Sequence, residues 1–170
     1  PALTLNRLCG SGLQAILTAA QAIMLGDAEV AVAGGAESMS RSPYLSPTMR
    51  WGARMNDTSL IDVMVAALSD PFDDCHMGVT AENVAKKWNI SRADQDQLAV
   101  ESHKRAASAI EKGNFKEQIM PVEIKVKRET VAFAVDETVR ADSSVEKLST
   151  LKPVFDKEGS VTAGNSSSIN

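Results

Sequence analysis

Cys9 stands in Leu5-Asn6-Arg7-Leu8-Cys9-Gly10-Ser11-Gly12, between a short apolar run and an amphipathic segment. A sulfur at a helix N-terminus faces roughly half a positive charge and several unpaired N–H donors, which favour its anionic form. Gly10 and Gly12 place no side chains beside it, so a bulky electrophile has access. The chemistry this permits is nucleophilic attack by sulfur. The residues alone leave two other readings open. A lone cysteine is often a small buried hydrophobe. Gly10-Ser11-Gly12-Leu13-Gln14-Ala15 also fits the G-x-G-x-x-A pattern of a dinucleotide loop, with Glu37 after the next apolar run. Against the loop, Asn6 to Cys9 separate the first apolar run from the first glycine.

The elements that must position Cys9 follow from periodicity. Leu13, Ile16, Leu17, Ala20, Ile23 and Met24 recur at helical spacing, which predicts a helix with one buried face and a C-cap at Gly26. Ala2-Leu3-Thr4-Leu5 before it and Val30-Ala31-Val32-Ala33 after it read as buried strands, the second ended by Gly34-Gly35. The order strand, helix, strand predicts a right-handed βαβ unit, with Cys9 at the C-terminal edge of a parallel sheet. Further on, 41–56 reads as irregular. Leu60, Ile61, Met64, Val65 and Leu68 share a face of a short helix stopped by Asp70-Pro71. A second helix is expected from Thr80 to Trp88. Ser91-Arg92-Ala93-Asp94 opens a third that runs to Lys112 and ends at Gly113. Val122 to Val126 and Thr130 to Val135 alternate as the arms of a hairpin, whose exposed face is read as a solvated basic patch of Lys125, Lys127 and Arg128.

Composition narrows the class. The 170 residues carry a net charge of −4, which gives no footprint for nucleic acid or an anionic membrane. Two cysteines far apart and two histidines fit a reducing, cytoplasmic setting without a disulfide framework or a metal site. No run approaches the ~18 apolar residues of a membrane-spanning helix. The chain does not begin with Met, and the runs at 2–5 and 30–33 are too few for a covered parallel sheet. It is therefore expected to be an internal piece of a longer protein.

Asn6-Arg7-Leu8-Cys9-Gly10-Ser11-Gly12, Gly34-Gly35-Ala36-Glu37-Ser38-Met39-Ser40, His76-Met77-Gly78-Val79-Thr80-Ala81-Glu82-Asn83 and Val161-Thr162-Ala163-Gly164-Asn165 together resemble successive signatures of the thiolases, nearest the short-chain acetyl-CoA acetyltransferases. The resemblance covers essentially the whole chain. It implies an α/β, thiolase-like fold: a βαβ piece of the N-terminal core domain at 1–38, a mainly helical α+β loop domain covering the coenzyme A site at 39–163, and the start of the return to the core at 164–170. It also implies a reversible acyl transfer in which Cys9 is the nucleophile and its backbone N–H serves the oxyanion. Coenzyme A enters as a thioester substrate, with no permanently bound cofactor, and the assembly is a homotetramer.

Residue by residue, the resemblance assigns His76 and Met77 to the pantetheine and acyl end of the pocket, where Met77 restricts the acyl group to short chains. Leu68, Leu151 and Phe155 match apolar contacts to adenine or pantetheine, and Arg140 matches a residue near adenine and the phosphates. Ala163, Gly164 and Ser167 match the loop along the pantetheine amides. Each also has an ordinary structural reading: core Met or core apolar residue, satisfied structural His, solvated Arg. The chain departs from the family pattern at Lys147, which replaces a Ser and is suited to pairing with a phosphate. It departs again at Ser168, which replaces a Gly and would be strained if φ were positive there. The catalytic His, the second Cys and a water-positioning Asn match segments beyond residue 170, so the chain alone is expected to lack a general-base contribution of ~10²–10⁴ in rate. Three rivals remain: a ketoacyl-synthase-type condensing enzyme, a non-catalytic coenzyme A-binding module and the dinucleotide domain.

Overall fold

The computed structural model describes residues 2–169, which divide into two compact units, 2–69 with Ile169, and 70–168. In the first unit, a 3-10 turn at Leu8–Gly10 leads directly into α1 (Ser11–Met24). Gly26, with φ +79°, closes its C-terminal end as the sequence requires. The flanking runs at 2–5 and 30–33 form no ladder among the described residues, and Val32 is fully exposed. This corrects the βαβ expectation in detail: the helix stands, but the strand pairing does not form. A strand is defined by a partner's hydrogen bonds, and β-branched apolar composition alone supplies none. The apolar face of α1 is likewise open, with Leu13, Ile16 and Met24 exposed, while the small residues Gly12, Ala15 and Ala19 are its more sheltered side. Helical periodicity identifies which face is apolar, not what covers it.

The 41–56 segment is not wholly irregular. β1 (Tyr44–Leu45) pairs antiparallel with β2 (Ile61–Asp62), so Ile61 belongs to a bridge and only Val63–Ala67 forms a helix, α2. The Asp62 carboxylate accepts from the Met64 N–H at 2.9 Å and caps α2, which explains why the helix starts late. β3 (Ser69–Asp70) and β4 (Cys75–His76) are strands of two residues each.

The second unit is built on α3 (Met77–Trp88), α4 (Arg92–Glu111) and α5 (Val145–Ser149). Asn89 in the left-handed region ends α3, and two residues later the Ser91 hydroxyl accepts from the Asp94 N–H to open α4. Gly113 (φ +70°) follows the last turn of α4. Among the described residues Ala85, Val100, Leu148 and Val161 are the buried apolar ones, one each from α3, α4, α5 and the segment after it. β5 (Val122–Val126) and β6 (Glu129–Phe133) form the expected hairpin, in the register Val122↔Phe133 and Ile124↔Val131. Val122, Ile124, Val131 and Phe133 therefore share a face. Lys127 and Arg128 are the two-residue loop rather than part of a face, and Lys127 takes φ +58° to make the turn.

Candidate functional site

In the first unit, Cys9 is exposed on a bent stretch of backbone. Leu8 just before it has φ +49°, a left-handed conformation that costs a non-glycine residue about 1–2 kcal/mol. Side chains on both sides clamp that bend. Asn6 Oδ1 accepts from the Leu8 N–H at 2.9 Å. Ser11 Oγ accepts from the Arg7 N–H and donates to the Leu8 carbonyl, each at 2.8 Å. The Gly10 N–H closes the turn on the Arg7 carbonyl at 3.0 Å, and the Arg7 guanidinium donates to Gln14 Oε1. The motif residues around Cys9 thus fix the backbone that presents the sulfur. Gly35 belongs to the same arrangement: a Cβ there would stand 3.4 Å from Gly12 Cα, so the two glycines allow backbone to pass close over the start of α1. Leu68, also in this unit, is half-buried at the end of α2.

The second unit brings most of the other candidate positions into two groups. In the first group, His76 caps α3, its Nδ1 accepting from the Gly78 N–H at 3.0 Å. This bond leaves Nε2 as the protonated nitrogen of the neutral ring. The His76 ring stacks on Phe155, with centroids 4.8 Å apart and planes at 22°. Gly78 lies directly under that Phe: a Cβ there would come within 2.1 Å of the ring. Met77 is half exposed beside them at the start of α3.

The second group is the segment 159–166, drawn against the helices by buried carboxylates. Glu82, 3 % exposed, accepts from the Ser160 and Val161 N–H groups and from the Ser160 hydroxyl. Burial pushes its carboxyl up, but the hydrogen bonds from Val161 and Ser160 outweigh that and hold it below the ordinary carboxylate value. Gly159 is required here, because a Cβ would stand 2.3 Å from Glu82 Oε1. Gly164 is required as well: its Cβ would strike Leu151 Cδ1 at 2.6 Å and Leu148 Cγ at 3.0 Å. Leu151 and Gly164 are therefore in direct apposition. Ala163 and Ser167 are exposed on either side of them. Ser168 is not among the positive-φ residues, so replacement of the usual glycine there carries no backbone strain.

Of the remaining candidates, Arg140 lies on the loop before α5 and Lys147 within α5. The Arg140 N–H donates to His103 Nδ1 at 3.1 Å, leaving the Arg140 side chain exposed. Lys147 is engaged: its ammonium bonds the Asp142 carbonyl and carboxylate, each at 2.8 Å. That hydrogen bond and the lysine charge hold the Asp142 carboxyl below its usual value. Sequence reasoning gave no role to Glu82, Arg92, Asp96 or Asn165, although Glu82 and Asn165 lie within quoted motifs. Arg92 and Asp96 carried a usable signal, being an opposite-charge pair at i, i+4 on one helix.

A free, exposed cysteine on a clamped bend ahead of a helix is open to an incoming electrophile, a geometry shared by enzymes of the sulfur-nucleophile class. The family is more specific: all of residues 1–170 match the thiolase N-terminal domain, and the chain belongs to the thiolase family. It is 61 % identical over 171 residues to the beta-ketothiolase BktB of Cupriavidus necator, matching 100 % of this chain and 43 % of that protein. An acetyl-CoA acetyltransferase of Pseudomonas aeruginosa is 51 % identical over 172 residues, of which this chain spans 44 %. Among solved structures, the Bacillus anthracis acetyl-CoA acetyltransferase superposes with a TM-score of 0.91 at 49 % identity, over 96 % of this chain and 42 % of that one. The human mitochondrial 3-ketoacyl-CoA thiolase in complex with CoA gives 0.86 at 43 % identity, over 96 % and 40 %. The chain thus spans less than half the length of these relatives, and its fold is a piece of the α/β thiolase fold.

Proposed function

We propose that this chain is the nucleophile-bearing part of an acyltransferase that condenses two acetyl-CoA molecules reversibly into acetoacetyl-CoA, or cleaves a short 3-ketoacyl-CoA with coenzyme A. The observation that carries the reading is Cys9, exposed on a strained bend that Asn6 and Ser11 hold in place. Cys9 sulfur attacks the thioester carbonyl, the coenzyme A thiolate departs, and an acetyl-cysteine remains. The α-carbon of a second acetyl-CoA, having given its proton to a base, then attacks the acetyl carbonyl. The new carbon–carbon bond forms as the cysteine sulfur leaves. The backbone N–H of Cys9 stabilises the oxyanion of the tetrahedral intermediate. Base, acid and the second oxyanion donor come from segments outside the 170 residues, so the chain alone is a poor catalyst.

The thioester's carrier is held by Leu68, His76, Met77, Arg140, Leu151, Phe155, Ala163, Gly164 and Ser167. Lys147 meets a phosphate if it exchanges its bonds to Asp142. The stacked His76–Phe155 pair supports this assignment, because it presents the imidazole Nε2–H and an aromatic edge together. The loop domain extends over 39–163, and the enzyme works as a homotetramer in a reducing compartment. The test is intact-mass analysis and peptide mapping of the full-length protein after incubation with acetyl-CoA. One acetyl group on Cys9 is expected, absent in Cys9→Ala. No acetylation of the wild type overturns the proposal, and binding of a nicotinamide dinucleotide instead would favour the dinucleotide reading.

A further inference from the structure

Arg92, Asp96 and Asn165 form a connected polar unit that no catalytic or binding role yet uses. Asp96 is 1 % exposed on α4, and its two carboxylate oxygens are divided between partners. Oδ2 accepts from Arg92 Nε at 2.8 Å, and Oδ1 accepts from Asn165 Nδ2 at 3.0 Å. Arg92 extends the unit in one direction: its Nη2 donates to the carbonyls of Leu148 and Leu151, at 2.7 and 3.0 Å. Those carbonyls lie at the C-terminal end of α5, where a cation is favoured. Asn165 extends it in the other direction. Its Nδ2 also donates to the Ser160 carbonyl, and its Oδ1 accepts from the Thr162 N–H at 2.7 Å. Thr162, fully buried, in turn receives the Gly164 N–H on its hydroxyl at 3.1 Å.

One carboxylate therefore ties together two pieces of chain that face each other, Leu151 after α5 and the turn at 162–165. Leu151 Cδ1 fills the space a Cβ at Gly164 would need, 2.6 Å from that position. A buried charge is retained at such a place only when both its oxygens are satisfied, and removing its charge disturbs both sides together. The geometry points to Asp96 as a positioning residue for the coenzyme A thioester, with Arg92 and Asn165 as its arms. It sets the separation between the Leu151 wall and the Ala163–Ser167 loop, and it does not touch the substrate. This inference rests on the proposed function, since it takes those two pieces as walls of the thioester site.

Asp96→Asn keeps the shape but turns an NH2 toward the Asn165 NH2 or toward Arg92, so one arm is lost. Arg92→Lys keeps the charge but cannot span two carbonyls and a carboxylate as the guanidinium fork does. Calorimetric titration of the full-length protein with free coenzyme A is expected to give a Kd about tenfold higher in both variants. KM for acetyl-CoA should rise in parallel while kcat at saturation and the rate of Cys9 alkylation by iodoacetamide stay within about twofold. A purely structural role predicts the reverse, a lower Tm and active fraction with Kd unchanged, and that result overturns the inference. Should Asp96→Asn fail to fold, Arg92→Lys decides alone by the same Kd criterion. Failure of the enzyme reading shows separately, as a wild type that takes no acetyl group.

Discussion

Replacing Gly78 by Ala adds one carbon to a helix, which ordinarily helps, yet here it should destabilise. The added Cβ would lie 2.1, 2.2 and 2.4 Å from Cε2, Cζ and Cδ2 of Phe155, inside the ring's van der Waals surface. Helix α3 is fixed at this point by the His76 cap, so the ring must move. Overpacking of this kind costs about 1–3 kcal/mol, and the His76–Phe155 stack that is lost adds about 0.5–1.5, a total of about 1.5–4.5 kcal/mol. For a protein of this size that lowers Tm by roughly 3–18 °C. The diagnostic comparison is a double-mutant cycle read by thermal and urea unfolding. With Phe155→Ala in place the obstruction is gone, and Gly78→Ala should become neutral or stabilise by up to ~1 kcal/mol, its intrinsic helix preference. A change of sign between the two backgrounds is the expected result. Equal costs in both backgrounds would refute the close packing of Phe155 on α3. A stabilised Gly78→Ala single variant would refute it as directly.

Two further outcomes follow from the caps and the buried acid. Ser91→Ala removes the acceptor for the Asp94 N–H at the start of α4 and should cost ~0.5–2 kcal/mol in urea unfolding, whereas Ser91→Gly should cost only a few tenths. Equal losses would mean that the hydroxyl does not cap. Glu82 has its carboxyl held below the ordinary value of 4.5, so its contribution to stability is complete above that pH and is lost as pH falls through the lower folded value. Glu82→Gln should be less stable at pH 7 but lose less between pH 5 and 3 than the wild type, and parallel pH profiles would contradict the assignment.

What the sequence made legible was local. The Ser91 cap, the glycines at 26 and 113 and the hairpin at 122–133 each depend on neighbours within a few residues, and each lies where its residue types require. The strands expected at 2–5 and 30–33 form no ladder for the opposite reason, because a short apolar run describes a segment that would pair but supplies no partner. The same division runs through the candidate site. Cys9 and its clamp are contained in Asn6–Ser11, so a motif could announce them. Glu82 meets Val161 across 79 residues and Asn165 meets Asp96 across 69, distances at which no spacing rule operates. The motif residues Glu82 and Asn165 were therefore visible as letters without a task. Their task follows from a need the sequence does not state: a loop that must lie against helices with its backbone N–H groups buried has to find acceptors, and these carboxylates and amides are the acceptors it finds. The bend at Cys9 is encoded beside it, whereas the fit of the 159–166 segment against α3 and α4 is encoded in contacts between distant residues. Substitutions at Glu82 or Asn165 should thus loosen that segment while leaving the bend at Cys9 intact.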